Sequence, residues 1–313
     1  MKPSAPSQAP TADSFRERAS QFYMRHRQPI EAWLILTPIL IYYFVFAVFP
    51  VAANLVVSFL DWNGFSEPTW VGFGNYERFF TNARYQQVFA NTIFFAVAIL
   101  LISMVLGFLV ALALNEKVKG LGIYRTMWYV PTLTSAAVMA QVATLFIAPR
   151  SGVLSAILRS LGQPELVWQT DPQFARTLII VFSVWRGVGT AMLLFLAGLQ
   201  GIPVEVIDAA RVDGASGWRL TRHITLPLLR PMTVFVLVTG LIGAFQIFEP
   251  VLLITNGKPA NSTNVMMLKI YEDAFQGYRF GLAAAMATVM LVFLLWASVL
   301  NLRLMGQSTT EQA

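Results

Sequence analysis

The chain has 313 residues, of which 56% are hydrophobic and only 12% are charged, and its mean hydropathy is +0.61. Soluble globular domains carry about 25% charged residues, so this composition excludes an ordinary soluble protein and indicates a membrane protein. The absence of cysteine excludes disulfide frameworks, thiolate nucleophiles and cysteine metal sites. The formal charge is +6, but the basic residues lie between apolar runs rather than in a dense patch, so nucleic acid is not an expected partner.

The first 30 residues contain no long apolar run. They begin with a stretch rich in Pro, Ser and Ala, and four arginines follow between residues 16 and 27. This composition is typical of a disordered, basic tail. It is not typical of a secretory signal, because the first apolar run of the chain is too long for a signal core and has no obvious cleavage site.

Six apolar stretches are each long enough to cross a bilayer as a helix, which needs about 20 residues. Arg186 and Glu249 are the two charged residues within them. All six exceed the length of ordinary strands, so the sequence predicts an all-α, polytopic protein with a membrane domain over 31–304 and a short tail over 305–313. The predicted spans are 32–58, 87–114, 126–148, 177–200, 231–257 and 280–302.

The distribution of Lys and Arg predicts the orientation of these spans. If the N-terminus is cytoplasmic, the segments on the cytoplasmic side hold 13 of these residues and the segments on the other side hold 8. Cytoplasmic loops of membrane proteins carry an excess of positive charge. We therefore expect both termini and the loop 201–230 to be cytoplasmic.

The first outer loop, 61–80, is aromatic and turn-rich. Its Trp and Tyr side chains fit interfacial anchors, and they also fit a docking surface for an extracytoplasmic partner, so both interpretations stay open. The two histidines, His26 and His223, are isolated in the sequence and predict no metal site.

The polar loop after the fourth span has a helical pattern of its own. Pro203 suits the first turn of a helix, Glu205 lies near the positive end of the helix dipole, and Gly214 is a typical helix stop. Ala209 and Ala210 form a small surface that another protein can approach closely. These features alone are also compatible with an ordinary connecting helix.

The spacing within this loop resembles the signature of binding-protein-dependent ABC importer permeases, Glu-Ala-Ala-x3-Gly-x9-Ile-x-Leu-Pro. Asp208 stands where the family usually has Glu, which shortens the acid by one methylene and keeps its charge. The other six of the seven fixed positions match, and they are Ala209, Ala210, Gly214, Ile224, Leu226 and Pro227.

Two outer segments are similar to the carbohydrate-uptake branch of that family, which includes the maltose and glycerol-3-phosphate permeases. They are "WVGFGNY" at 70–76 and "TNGKPANST" at 255–263, where Lys258 replaces the second Gly of the branch's usual Thr-x-Gly-Gly-Pro. The resemblance covers about residues 30–304. It implies a type I ABC importer permease fold in the inner membrane of a bacterial or archaeal cell.

The resemblance also implies a set of partners. These are a second permease subunit, two cytoplasmic ATPase subunits, an extracytoplasmic sugar-binding protein and the surrounding lipid. In that family the cytoplasmic loop docks on the ATPase, so the resemblance assigns ATPase coupling to Glu205, Asp208 and the six matching loop residues. The sole Gly-Lys pair has Leu252 where a phosphate-binding loop needs its first Gly. No cofactor is therefore expected in this chain, and ATP and Mg²⁺ are expected on the ATPase subunits.

The two charges within the spans predict a polar site. A charged residue at the centre of a bilayer costs about 2.5–3.5 kcal/mol on insertion scales and is usually functional. Arg186 and Glu249 lie about 14 and 12 Å from the outer ends of their predicted helices, and Gln246 shares a helix face with Glu249. With Trp185 and Asn91 they supply the polar groups and the aromatic ring that a sugar site needs. The alternative is an Arg–Glu pair that braces two helices.

Two other classes of function are possible on sequence grounds. An ion-coupled secondary transporter of a small polar solute needs an ion site within one chain, and it often has an internal repeat; no such repeat is evident. A membrane-embedded enzyme normally has paired acids or histidines at membrane depth, and the spans contain no such group.

Overall fold

The computed structural model describes residues 31–116, 120–163 and 169–309. The predicted basic tail 1–30 and residues 310–313 lie outside this part of the chain. The chain divides into two units, Met1–Val56 and Val57–Ala313. The described part of the first unit is helix α1, which runs over Glu31–Val57 with its apolar side chains exposed. A π-helical turn over Phe44–Val48 lies just before Pro50, which has no N–H for the helical ladder.

The second unit is built on three long helices. They are α3 (Ala83–Asn115), α7 (Pro172–Gln200) and α12 (Phe280–Thr309). Within the described residues, four helices including α1 are long and apolar enough to cross a membrane, or up to six spans if each of two bent helix pairs counts as one. The all-α membrane fold predicted from the sequence is confirmed.

Helix ends differ from the predicted bounds for local reasons. Helix α7 begins at Pro172 rather than at 177, because Asp171 caps it: its Oδ1 accepts hydrogen bonds from the backbone N–H groups of Gln173 at 2.8 Å and Phe174 at 3.2 Å. Helix α12 continues to Thr309, so most of the predicted tail 305–313 is helical.

Short elements join the long helices. Strands β1 (Leu60–Asp61) and β2 (Thr69–Trp70) pair antiparallel, with Leu60 opposite Trp70. Three short helices follow along the chain: α2 (Gly74–Thr81), α6 (Val153–Ser160) and α11 (Met266–Tyr271), which continues as a π-helical turn over Glu272–Gln276.

The helix predicted over 126–148 is bent and divided in two. The structure has α4 (Leu121–Leu133) and α5 (Ala136–Phe146), which meet at an angle of 94°. The break falls at Thr134 and Ser135, whose ψ values of 143° and 128° are extended. The Thr134 hydroxyl donates to the Val130 carbonyl oxygen at 3.1 Å, a local bond that competes with helix continuation.

The predicted helix over 231–257 is also interrupted. Helix α10 covers Arg230–Phe245, and the chain resumes helical geometry at Glu249, leading into a π-helical segment over Val251–Thr255. Pro250 lacks the N–H that would bond to the carbonyl of Gln246, which weakens the helix at this point. Before α10 lie α8 (Val204–Val212) and α9 (Gly217–Leu228), and α9 meets α10 at 72°.

Close packing against α7 organises the second unit. A Cβ atom added to Gly107 of α3 would lie 2.6 Å from the Ala191 Cβ, and one added to Gly189 would lie 2.5 Å from the Trp128 carbonyl oxygen of α4. The Thr132 hydroxyl of α4 donates to the Arg186 carbonyl oxygen at 2.6 Å. Small residues at these positions let helix backbones approach, which is how helices associate in lipid.

The contact at Gly189 gives a stability prediction. We expect Gly189→Ala to destabilise the protein by about 1–3 kcal/mol, because the added methyl overlaps backbone atoms that cannot rotate away. Gly122→Ala is the matched control, since nothing lies within 4 Å of a Cβ added at that helical position. Thermal unfolding of both variants in detergent tests this. Equal midpoints for the two variants would contradict the close α4–α7 contact.

Candidate functional site

A cavity of about 340 Å³ opens between α3, α7 and α10. Its wall is mainly apolar, with polar groups from every side, and the interruption after α10 forms one end. Small-molecule sites have this character, an apolar concave surface with a few convergent polar groups. The polar residues that line it are Ser103, Thr132, Ser183, Arg186, Thr190, Thr239, Gln246 and Glu249.

Three of the residues predicted to bind substrate meet at this cavity. Arg186 is near the middle of α7, and Gln246 and Glu249 flank the interruption after α10. The predicted shared helix face of Gln246 and Glu249 is wrong, because α10 ends at Phe245. In the described part of the chain, no ion pair within 4.0 Å joins Arg186 to Glu249. The two charges therefore share the cavity without bracing two helices directly.

Two serines complete the polar wall beside Arg186. Ser183 precedes Arg186 by three residues on α7, so both lie on one helix face. Ser103 of α3 lies opposite the next residue, Gly187: a Cβ added to this glycine would be 3.2 Å from the Ser103 Oγ. Sequence reasoning missed both serines, since a single hydroxyl in an apolar span stands out only when its position relative to Arg186 is known.

The other two predicted substrate residues lie elsewhere. Trp185 does not line the cavity; its side chain is 45% exposed, and its ring meets that of Phe182 edge-on at 6.3 Å. Asn91 is only 5% exposed and is fully engaged with the protein. Its Nδ2 donates to the carbonyl oxygens of Asn261 at 2.8 Å and Asn264 at 3.0 Å.

Asn91 belongs to a clasp that holds the loop 256–265 against α3 and α7. Arg176 of α7 donates from Nε to the Ser262 carbonyl oxygen at 3.0 Å and from a terminal nitrogen to Asn91 Oδ1 at 3.4 Å. The Met266 backbone N–H donates to the Thr92 hydroxyl at 2.8 Å. The loop needs this support, because it has left-handed residues at four positions: Asn256, Gly257, Ala260 and Asn261.

A buried ion cluster fixes the segment between α11 and α12. Lys269 donates to Asp273 Oδ1 at 2.9 Å and to Glu272 Oε2 at 3.1 Å, and Arg279 donates to the same Asp273 oxygen. The Lys269 and Asp273 side chains are 4% and 1% exposed. The spacing of four residues between Lys269 and Asp273 can be read from the sequence, but the burial of Lys269 cannot.

Aromatic rings join the segment 59–70 to the start of α12. Phe59 stacks on Trp70 at a centroid distance of 5.6 Å, and Trp62 packs against Phe280 at 5.7 Å. The Phe280 backbone N–H donates to the Trp62 carbonyl oxygen at 3.0 Å. Trp70 remains 69% exposed, so the ring cluster can serve either as an anchor or as a docking surface.

The 201–230 loop forms the helix that its sequence predicts. Helix α8 stops before Gly214, whose φ of +84° is left-handed, and the Ala215 N–H donates to the Ala210 carbonyl oxygen at 2.9 Å. Asp208 and Arg211 are both 60% exposed and lie 3.4 Å apart. Ala210 packs inward while Ala209 is exposed. The helix thus presents a mixed charged and small surface.

The remaining loop residues divide between surface and interior. Glu205 and Pro227 are exposed, whereas Ile224 and Leu226 are half-buried. A second cavity of about 540 Å³ separates α8 and α9 from the end of α3. The loop is therefore held at its ends rather than packed along its whole length.

Comparison with known proteins gives concordant results. Residues 104–305 match the family model described as the binding-protein-dependent transport system inner membrane component. The chain is 34% identical over 267 residues to the probable ABC transporter permease protein YesP of Bacillus subtilis, covering 84% of this chain and 86% of that protein. It is 32% identical over 290 residues to the lactose transport system permease protein LacF of Rhizobium radiobacter, covering 90% and 95%.

A solved structure has a similar fold. The crystal structure of a bacterial ABC transporter involved in the import of the acidic polysaccharide alginate contains a chain that matches with a TM-score of 0.78 and 25% identity. The match covers 91% of this chain and 99% of that chain.

The hydrogen bonds of Asn91 predict that this residue stabilises the folded protein. We expect Asn91→Leu to destabilise the protein by about 1–3 kcal/mol for each buried group left unpaired, since two carbonyls lose their donor and Arg176 loses an acceptor. Gln87→Leu is the control, because its bond to the Ala260 carbonyl oxygen is exposed. Unfolding midpoints compare the two. A change in solute affinity at unchanged stability in Asn91→Leu would instead support the original substrate role.

Proposed function

Because the chain belongs to the family of binding-protein-dependent transport system inner membrane components, we propose that it is the permease subunit of an ATP-driven sugar importer. The family consists of multi-pass transport components, so this chain is a permease and not an enzyme. The observation that carries the sugar proposal is the cavity between α3, α7 and α10, in which hydroxyl, amide, guanidinium and carboxylate groups converge. Family membership also decides against the secondary transporter and the membrane enzyme.

Sugar is the solute class that these groups suit. Sugar hydroxyls both donate and accept hydrogen bonds, and the cavity offers Arg186 as a donor, Glu249 as an acceptor and Gln246 as both. Apolar walls would contact the C–H faces of the ring. Two similar proteins are named for lactose transport and alginate import, which supports a carbohydrate here.

The excess of Lys and Arg supports an orientation with both termini and the 201–230 loop in the cytoplasm. In this orientation the clasped loop 256–265 and the aromatic segment 61–80 face outward. The extracytoplasmic binding protein would then deliver sugar onto these outer loops.

The cytoplasmic loop would couple transport to ATP. Exposed Glu205, Asp208 and Ala209 of α8 offer a charged and closely approachable surface to an ATPase subunit. Ala210, Gly214, Ile224, Leu226 and Pro227 shape the loop that carries this surface. Two ATPase subunits would hold ATP and Mg²⁺, and a second permease would complete the pathway.

The breaks in the helices suggest how the movement is transmitted. When the ATPase pair closes, it would displace α8 and α9, and the 72° bend between α9 and α10 is the point where this displacement reaches the membrane. The interruption at 246–249 lies at the other end of α10, beside the cavity. A rigid α10 between two bends can switch the cavity between two openings.

Reconstitution tests the proposed function. The permease is purified with its partner permease and ATPase subunits and placed in liposomes with the binding protein. We expect ATP hydrolysis to rise several-fold when the binding protein is loaded with sugar, with sugar accumulating in the lumen. The proposal would be refuted if the sugar-loaded binding protein did not raise the rate of ATP hydrolysis. It would also be refuted if uptake required an ion gradient and no ATP.

The orientation has a direct test. The native chain has no cysteine, so Ser216→Cys introduces one thiol at an exposed loop position. We expect a membrane-impermeant maleimide to label it in inside-out vesicles and not in intact cells. Labelling of intact cells would reverse the orientation.

We expect Gly214 to be required for coupling to the ATPase, because its backbone adopts a left-handed conformation. Its φ of +84° disfavours a branched side chain, while nothing lies within 4 Å of an added Cβ. We therefore expect Gly214→Val to reduce ATPase co-purification and uptake about tenfold, an effect of about 1–2 kcal/mol. Asn tolerates the left-handed region, so Gly214→Asn should retain most of both. Equal losses in the two variants would point to side-chain size instead of backbone conformation.

A further inference from the structure

Three buried polar atoms without a hydrogen-bond partner gather at the cavity. They are Ser103 Oγ, Ser183 Oγ and Arg186 Nε, and all three residues line its wall. The Arg186 Nε–H can only donate, and the serine hydroxyls can donate as well. Buried donors are normally paired in native proteins. This part of the wall therefore lacks an acceptor-rich group.

The three donors are neighbours in the fold. Ser183 and Arg186 share a face of α7, and the Ser103 Oγ lies opposite Gly187, the residue that follows Arg186. The nearby Thr132 hydroxyl donates to the Arg186 carbonyl oxygen, and none of the three atoms has it as a hydrogen-bond partner. Because Gly187 has no side chain, Ser103 packs closely against this turn of α7. All three residues therefore belong to one part of the cavity wall.

The charge of Arg186 favours an anion over a neutral hydroxyl at this point. A guanidinium remains protonated at any physiological pH, and a charge inside a membrane protein needs a counter-charge or water. Among the ion pairs of the described residues, none includes Arg186. Glu249 lines the same cavity, but it is exposed at the interruption after α10 and forms no ion pair with this arginine.

We propose that the cavity takes a sugar that bears one anionic oxygen group, a carboxylate or a phosphate, and that this group binds Arg186, Ser103 and Ser183. The inference rests on the proposed function and narrows its substrate class. Both anions present several acceptor oxygens in the geometry that a guanidinium recognises. The neutral hydroxyls of the same sugar then face Gln246 and Glu249, which accept from them. The substrate is thereby oriented along the cavity.

Direct binding tests this inference. The complete transporter in lipid nanodiscs is titrated with radiolabelled glucuronate, glucose 6-phosphate and glucose, without the binding protein. We expect at least one of the two acids to bind at least tenfold more tightly than glucose, and the stronger acid identifies the anionic group. Arg186→Gln should abolish this preference, so that the acids bind no more tightly than glucose. Ser183→Ala should reduce it by a smaller factor.

The control separates a local contact from a general loss of positive charge. Arg159→Gln removes an arginine of α6 that lies outside the cavity, so the preference for the acid should be unchanged. Binding of glucose as tight as that of both acids, or a preference that survives Arg186→Gln, would overturn the inference and leave sugar import intact. Failure of all three probes to bind would also overturn it. The proposed function fails separately, if sugar-loaded binding protein does not stimulate ATP hydrolysis.

Discussion

The close approach of α3 and α4 to α7 is the contact on which the rest of the structure depends. Lipid supplies no hydrophobic force between helices, so association relies on tight packing. Gly107 and Gly189 have no side chain at the points where helix backbones meet, and Gly187 has none beside the cavity. These small residues therefore hold α3, α4 and α7 together around the cavity.

Polar residues in this bundle fall into two groups with different roles. Near the loop 256–265, Asn91, Arg176 and the cluster around Asp273 bond mainly to other parts of the chain and support the loops there, and Ser262 Oγ, Asn264 Oδ1 and Asp273 Oδ2 have no partner. At the cavity, Ser103, Ser183 and Arg186 each keep an atom without a partner. What distinguishes the second group is its place in the wall of the cavity, where an entering solute would meet it.

The sequence predicts the parts of the fold that depend on local physics. Length and hydropathy identify the spans, and the glycine at 214 marks the end of α8, because only backbone preferences are involved. The positions of the breaks at Thr134 and before Pro250 cannot be read from hydropathy, since both lie within continuous apolar runs. Asn91 was assigned to substrate because its bonds to a loop some 170 residues away cannot be seen from spacing. Arg186 and Glu249 line the same cavity, and the absence of an ion pair between them could be seen only from the coordinates.

The central claim is that the solute passes through the cavity between α3, α7 and α10. Thiol accessibility along α7 tests it most directly, with Thr190→Cys in the cavity wall and Val181→Cys on an exposed face outside it. In the reconstituted transporter, we predict that a charged, water-soluble methanethiosulfonate modifies Thr190→Cys, that transported sugar slows this reaction, and that Val181→Cys reacts at least tenfold more slowly in the hydrocarbon region. Equal reaction at both positions, or reaction at Thr190→Cys that sugar does not slow, would contradict the account.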